Sequence, residues 1–157
     1  MQIAKEVEQL LNSGLSREEV FEKLRGRDDD DEIIYFANNV ATLADKHKYM
    51  ALNLILIGLL VLLTGKKVMA IIAFPYFNIT TIIPIVVPAV NAYIIRELLR
   101  FHKKGYTFLF VLSILSLVHK ENHFPFELLT TISMIVLSGF LYKKIFNKNK
   151  LLPEIDD

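Results

Sequence analysis

The run from Val68 to Ile95 holds 28 residues and no charged side chain. Roughly 20 helical residues cross the hydrocarbon core of a bilayer, which is about 30 Å thick. The run is therefore long enough for one membrane span and too short for two. It predicts an integral membrane protein, with the lipid bilayer as its first partner. Pro75, Pro84 and Pro88 interrupt the run, and a proline inside a span leaves a backbone carbonyl that neighbouring groups must satisfy.

Three other apolar runs predict further spans, because each is bounded by charged or turn-forming residues. We expect an all-α protein with a four-helix membrane bundle over residues 49–146. Gly65-Lys66-Lys67 is predicted to form the turn after the first span. Three of the spans are shorter than the usual length, which favours a homo-oligomer or assembly with another membrane protein. The four spans are predicted at about 49–64, 77–98, 105–118 and 125–143.

The first 48 residues predict a small cytoplasmic head of three helices, because apolar side chains recur there at helical spacing. Gly14 is placed to end the first helix, which covers residues 2–12. Ser16 and Glu19 form a capping box that starts the second helix. The acidic run 28–32 suits the positive end of a third helix, and we expect that helix to continue unbroken into the first span.

The distribution of lysine and arginine predicts the orientation, because cytoplasmic loops are enriched in these residues. One side of the predicted bundle receives ten of them, in the segments 46–48, 96–104 and 143–150. The other side receives three, Lys66, Lys67 and Lys120. We therefore expect the head and the tail at 147–157 to lie in the cytoplasm, with the spans in a cell (inner) membrane.

Charge is divided unevenly along the chain. Residues 1–48 carry a net charge of −4 and residues 49–157 a net charge of +5. The basic residues flank apolar runs and build no stripe, so we expect no nucleic-acid partner. A three-helix unit of this size is marginally stable alone. Residues 1–44 are therefore predicted to bind a cytoplasmic protein partner.

Polar residues and prolines in the second span have two interpretations. Amides such as Asn53 and Asn91 commonly hydrogen-bond between helices within a membrane. Alternatively, carbonyls freed by prolines and neighbouring amides line a polar pathway, as in transporters with broken helices. The candidate residues for helix packing or for such a pathway are Asn78, Thr80, Thr81, Pro84, Pro88 and Asn91.

His119, His123 and Glu127 are the only group with metal-ligand spacing. On a continuous helix they would share one face, at i, i+4 and i+8, as three zinc ligands with an open position. Pro125 lies inside this window and would disrupt such a helix. The other interpretation is a polar turn between two spans.

Catalytic patterns are lacking elsewhere in the sequence. The chain has no cysteine, its apolar runs carry serines without a histidine at comparable depth, and no glycine-rich phosphate loop is present. We expect no enzyme activity and no cofactor. The predicted function is that of an assembly or regulatory subunit in the membrane, whose head binds a partner. The alternatives are an oligomeric channel or small transporter that uses the second span, and a metal-dependent enzyme at the 119–127 turn.

Overall fold

The computed structural model describes residues 2–27, 29–73, 82–118, 124–147 and 150–151, apart from the side chains of 82–84. Within these ranges the chain forms seven helices and no strand, which confirms the all-α prediction. A single bridge joins Val40 to His102. The helices are α1 (Gln2–Asn12), α2 (Arg17–Leu24), α3 (Asp30–Asn39), α4 (Leu43–Ala73), α5 (Ile82–Leu99), α6 (Lys103–Ser116) and α7 (Pro125–Phe146).

The head helices form where their capping signals predict. The apolar stripe of α1 buries Ile3, Val7 and Leu11, each four residues after the last. Gly14 takes a φ of +99°, the left-handed conformation that ends a helix at little cost for glycine. Both hydrogen bonds of the capping box between Ser16 and Glu19 are present. Together with side chains of α2 and α3, the α1 stripe forms a separate apolar core for the head.

The third helix does not run on into the first long helix, so that prediction was wrong. α3 ends at Asn39, and Val40 adopts an extended conformation with φ −119° and ψ 141°. The backbone there pairs with the turn between α5 and α6, since the N–H of Ala41 donates to the carbonyl of Phe101 at 3.2 Å. This pairing with a distant turn replaces the helical hydrogen bonds that continuation would have made.

The predicted turn at Gly65-Lys66-Lys67 is also wrong, because these residues lie inside α4. With 31 residues and a rise of 1.5 Å per residue, α4 is about 46 Å long. Glycine and lysine are compatible with a helix interior when the side chains reach solvent or a partner, and all three residues are exposed. The first apolar helix is therefore not short, and neither is α7 with 22 residues, whereas α6 has 14.

The four long helices pack in a cyclic order. α4 contacts α5 and α7, and α6 contacts the same two helices from the other side. Their shared core contains apolar side chains from all four helices, together with Ala41 and Phe101. Where the structure describes them, the predicted segments 77–98, 105–118 and 125–143 coincide with α5, α6 and α7 to within a few residues.

The outer surface of these long helices is apolar. Every exposed large hydrophobic side chain in the described ranges, except Tyr35, lies between Met50 and Phe140. Among the residues that the structure describes, two helices, α4 and α7, are long and apolar enough to cross a membrane, by length and composition. Only 17% and 28% of their most apolar stretches are buried within the protein. A core helix of a soluble protein would be mostly buried, so these helices favour membrane association.

Candidate functional site

The head packs against one end of the long helices, which we call the head end. There α4 begins, α5 meets α6, and α7 ends. α3 contacts α6, and the bridge between Val40 and His102 ties the two parts together. Charged side chains gather at this contact, which we call the head junction and define by Glu8, Arg17, Lys46, Glu97, Arg100 and His102.

Arg17 is the buried centre of the head junction, with only 1% of its surface exposed. Its Nε donates to the carbonyl of Ala37 at 3.0 Å, and its Nη2 donates to the carbonyls of Val40 at 3.2 Å and Ile145 at 3.3 Å. These carbonyls belong to the C-terminal ends of α3 and α7, where backbone acceptors lack helical partners and a positive charge is favourable. One guanidinium therefore caps a head helix and the last long helix together.

Burial lowers the pKa of Arg17, while the negative charges of Asp45 and Glu18 oppose that shift. An arginine keeps its proton under all ordinary conditions. The junction therefore contains a permanent buried positive charge that donates to carbonyl oxygens and is attracted by the charges of Asp45 and Glu18. Removing the guanidinium would leave these acceptors without donors, which is costly inside a protein.

Glu8 and Arg100 form a two-point ion pair between α1 and the α5–α6 turn. Arg100 Nε lies 3.3 Å from one carboxylate oxygen of Glu8, and Nη2 bonds to the other. Burial by itself would raise the pKa of Glu8, but the hydrogen bond from Arg100 and the charges of His102, Arg100 and Lys46 outweigh it and lower that pKa. The hydrogen bond to Glu8 in turn raises the pKa of Arg100. Both shifts favour the charged forms.

His102 stands between two carboxylates. Its Nδ1 lies 2.8 Å from Glu97 Oε2, and its Nε2 lies 3.6 Å from Glu8 Oε1. In the tautomer that carries its proton on Nδ1, His102 donates to Glu97, since an ionised carboxylate only accepts hydrogen bonds. The turn that presents His102 is tight, because Phe101 has a φ of +55° and Gly105 lies against the backbone of Glu97.

Lys46 adds a further link between the head and the first turns of α4. Its Nζ donates to Asn12 Oδ1 at 2.6 Å. Burial lowers the pKa of Lys46, and attraction to Glu8 partly offsets the shift. On the other side of the head, Asn38 makes two hydrogen bonds of 2.9 Å with the backbone of Leu151. The head thus contacts α4, the α5–α6 turn and the segment after α7.

The predicted pathway residues are only partly described. Asn78, Thr80 and Thr81 lie outside the described residues, and so does the side chain of Pro84. Pro88 lies inside α5. Asn91 Nδ2 donates to Thr64 Oγ1 at 2.9 Å, and that hydroxyl donates to the carbonyl of Leu60 at 2.7 Å. Asn91 therefore forms a contact between α4 and α5.

Asn53 makes the corresponding contact nearer the head end. Its Nδ2 donates to the carbonyl of Leu98 at 2.9 Å, and its Oδ1 accepts from the hydroxyl of Tyr106 at 2.7 Å. Both side chains are buried. Asn53 and Asn91 thus each hydrogen-bond to another helix, and Tyr106 is a partner that the sequence did not reveal. The choice between helix packing and a pathway stays a prediction.

Of the predicted metal ligands, His119 and His123 lie outside the described residues. Glu127 forms an ion pair with Lys66 at the end of the long helices away from the head. Among the side chains that the structure describes, no three histidines, aspartates or glutamates are grouped closely enough to hold a metal ion. The metal hypothesis stays a prediction.

Sequence reasoning missed the head junction, because its members are scattered from residue 8 to residue 102. One usable signal was present: Glu97 and His102 lie on either side of residue 98, where the second span was predicted to end. Comparisons of the chain with protein-family models, with curated proteins and with solved structures find no match.

Proposed function

We propose that this chain is a non-enzymatic, multi-pass membrane protein in which α4 to α7 all cross the bilayer. In this proposal the four helices span the inner membrane of the cell. The head and the C-terminal tail lie in the cytoplasm. The protein acts as an assembly or regulatory subunit, and the outer face of its head binds a cytoplasmic protein.

The distribution of polar and apolar side chains supports four spans. Large apolar side chains cover the outside of the long helices, whereas Asn53, Ser113, Thr131 and Ser138 are buried between them. The helices of soluble bundles instead carry charged and polar side chains on their outer face. Small and hydroxyl-bearing residues at helix contacts are typical of membrane bundles, in which close backbone approach replaces the hydrophobic driving force.

The basic residues at the head end support the orientation. Lys48, Arg100, Lys103 and Lys143 all lie near that end, whereas Lys66 and Lys67 lie toward the other. Enrichment of basic side chains on one side of a bundle is the usual mark of its cytoplasmic face. Because the chain lacks cysteine, single cysteines at Glu18 and Lys67 can be labelled with a membrane-impermeant maleimide to test this. Labelling of residue 67, but not of residue 18, in intact cells is expected.

The observation that carries the partner proposal is an acidic outer face on a head that is joined firmly to the bundle. Arg17 and Glu8 of the head contact the long helices, which leaves other acidic side chains of α2 and α3 exposed. Such a face complements a basic protein surface and speeds association with it. Apart from Glu19, whose side chain caps α2, the exposed acids of these two helices are Glu18, Glu22, Asp31 and Glu32.

The test is reversal of these four charges to lysine in the full-length chain, followed by cross-linking in native membranes. A specific partner should be cross-linked by the unaltered protein and lost from the reversed variant. The matched control reverses exposed Lys5 and Lys23 to glutamate, which keeps the head acidic and should retain the partner. The proposal would be contradicted if both variants retain the partner. It would also be contradicted if the unaltered protein and the variants cross-link no partner.

A further inference from the structure

A groove runs along the contact between α6 and α7 near the head end. Its volume is about 270 Å³, and it is lined by Tyr106, Thr107, Phe110, Gly139 and Tyr142. Gly139 lets the ring of Phe110 lie close to α7 in this groove, since a Cβ at that position would lie 3.2 Å from the ring. The hydroxyl of Tyr106 donates to Asn53, which leaves its ring as groove wall. The groove is therefore apolar along most of its length.

Positive charge marks one end of this groove. Lys103 Nζ lies 5.5 Å from the ring centroid of Tyr142, which is a cation–π contact at the groove wall. Lys103 precedes Thr107 by one helical turn, and Lys143 follows Gly139 by one turn, so both lysines share helix faces with groove residues. The groove thus has an apolar body and a cationic mouth toward the head end.

We propose that this groove binds an anionic phospholipid, with an acyl chain against Phe110 and Gly139 and the phosphate beside Lys103 and Lys143. The inference rests on the proposed function, because it places the mouth at the cytoplasmic membrane surface. Basic pockets between membrane helices on that side suit anionic headgroups. A second copy of the chain is a poorer occupant, since its own Lys103 and Lys143 would bring like charges together.

The test uses the purified, delipidated full-length protein in detergent. Dioleoyl phosphatidylglycerol and dioleoyl phosphatidylcholine are titrated separately, and bound lipid is counted by native mass spectrometry. We expect tighter binding of the phosphatidylglycerol. Lys103→Gln should weaken that binding about fivefold, as expected for one lysine beside an anionic headgroup, and should leave phosphatidylcholine binding unchanged. Lys67→Gln, at the other end of the long helices, is the matched control and should change neither.

Filling the groove tests the acyl-chain part of the proposal. Gly139→Leu should abolish the tight lipid binding, whereas Gly58→Leu should not, because a Cβ at Gly58 meets open space. Thr107→Phe narrows the same groove from its exposed rim, so it serves where the leucine variant does not fold. Retention of phosphatidylglycerol binding in the folded groove variant would overturn the proposal.

Two other results also decide the matter. Equal affinity for the two lipids in the unaltered protein overturns the inference, and so does a dimer that Gly139→Leu dissociates. Flotation with vesicles made of equal amounts of the two lipids separates this inference from the proposed function. A chain that does not float with the vesicles overturns both proposals. A chain that floats but shows no lipid preference overturns only this one.

Discussion

Arg17 Nη2 lies 3.3 Å from the carbonyl oxygen of Ile145, a residue 128 positions later in the chain. The contact joins the second head helix to the end of the last long helix. The same guanidinium also binds Ala37 and Val40, so one side chain holds the end of α3 and the end of α7 together. This buried charge and its carbonyl partners therefore form one of the contacts that position the head, beside the ion pair of Glu8 with Arg100.

Replacing Arg17 with methionine should weaken the attachment of the head to the long helices. The apolar side chain keeps much of the packing volume but leaves buried carbonyl acceptors without donors, at a cost of about 1–3 kcal/mol. We expect a corresponding drop in the free energy of unfolding of the head, measured by hydrogen exchange of the α2 and α3 amides in detergent. Lys23→Met on the exposed face of the same helix is the control, with a change within about 0.5 kcal/mol. Equal protection in both variants would contradict the role of Arg17.

The pair of Glu8 and Arg100 should make head docking sensitive to acid. The pKa of Glu8 is lowered below its ordinary value of 4.5, so the folded state binds the proton more weakly than the unfolded state does. Its stabilising contribution is therefore complete above pH 4.5 and is lost as the pH falls through the lower folded pKa.

Unfolding of the protein and of Glu8→Gln, followed from about pH 6 to about pH 3, measures this contribution. The variant should have a lower free energy of unfolding than the unaltered protein at the upper end of this pH range. The two free energies should converge as the pH falls. The comparison cancels the pH-dependent contributions of other carboxylates, because both proteins contain them. Glu19, whose pKa is also lowered, is one of these. A difference that stays constant with pH would show that Glu8 contributes through packing and not through its charge.

Local signals allowed much of the fold to be predicted. The capping box at Ser16 and the glycine at position 14 act within a few residues, and their helices begin and end as expected. The break after Asn39 was missed because it depends on pairing between Ala41 and Phe101, which are far apart in sequence. A pattern confined to one segment carries no information about such a contact.

Gly105 should tolerate no side chain. A Cβ there would lie 2.9 Å from the Cβ of Glu97 and 3.0 Å from the backbone nitrogen of Leu98, so the α5–α6 turn would have to shift. Overpacking of this kind costs about 1–3 kcal/mol. Gly105→Ala should therefore lower the midpoint of thermal unfolding, measured by circular dichroism in detergent.

Gly65→Ala is the matched control for that substitution. A Cβ at Gly65 meets open space inside α4, and alanine is favoured over glycine in a helix interior by roughly 1 kcal/mol. This variant should leave the thermal midpoint unchanged or raise it. A similar loss of stability in both variants would contradict a specific role for the close backbone contact at Gly105.

The candidate sites were harder to predict than the helices, for a physical reason. A buried polar group is identified by its partner, and the partner of Asn53 is a tyrosine 53 residues later. Tyr106 stands at the start of an apolar run, where a tyrosine is equally expected at a membrane surface. The charges of the head junction likewise resemble solvated turn residues until α1 is placed against them.

Substitution of Asn91 tests whether this residue forms a helix contact or lines a polar pathway. If its bond to Thr64 is structural, Asn91→Leu should lower the stability of the bundle by about 1 kcal/mol, measured by unfolding in mixed detergents. Thr64→Val should cost a similar amount, and the double variant should cost less than the sum, because the two side chains act as a pair. The pathway interpretation predicts instead that the unaltered protein, reconstituted in liposomes, carries an ion or solute flux that Asn91→Leu changes. Additive stability losses together with such a flux would favour the channel over the assembly subunit.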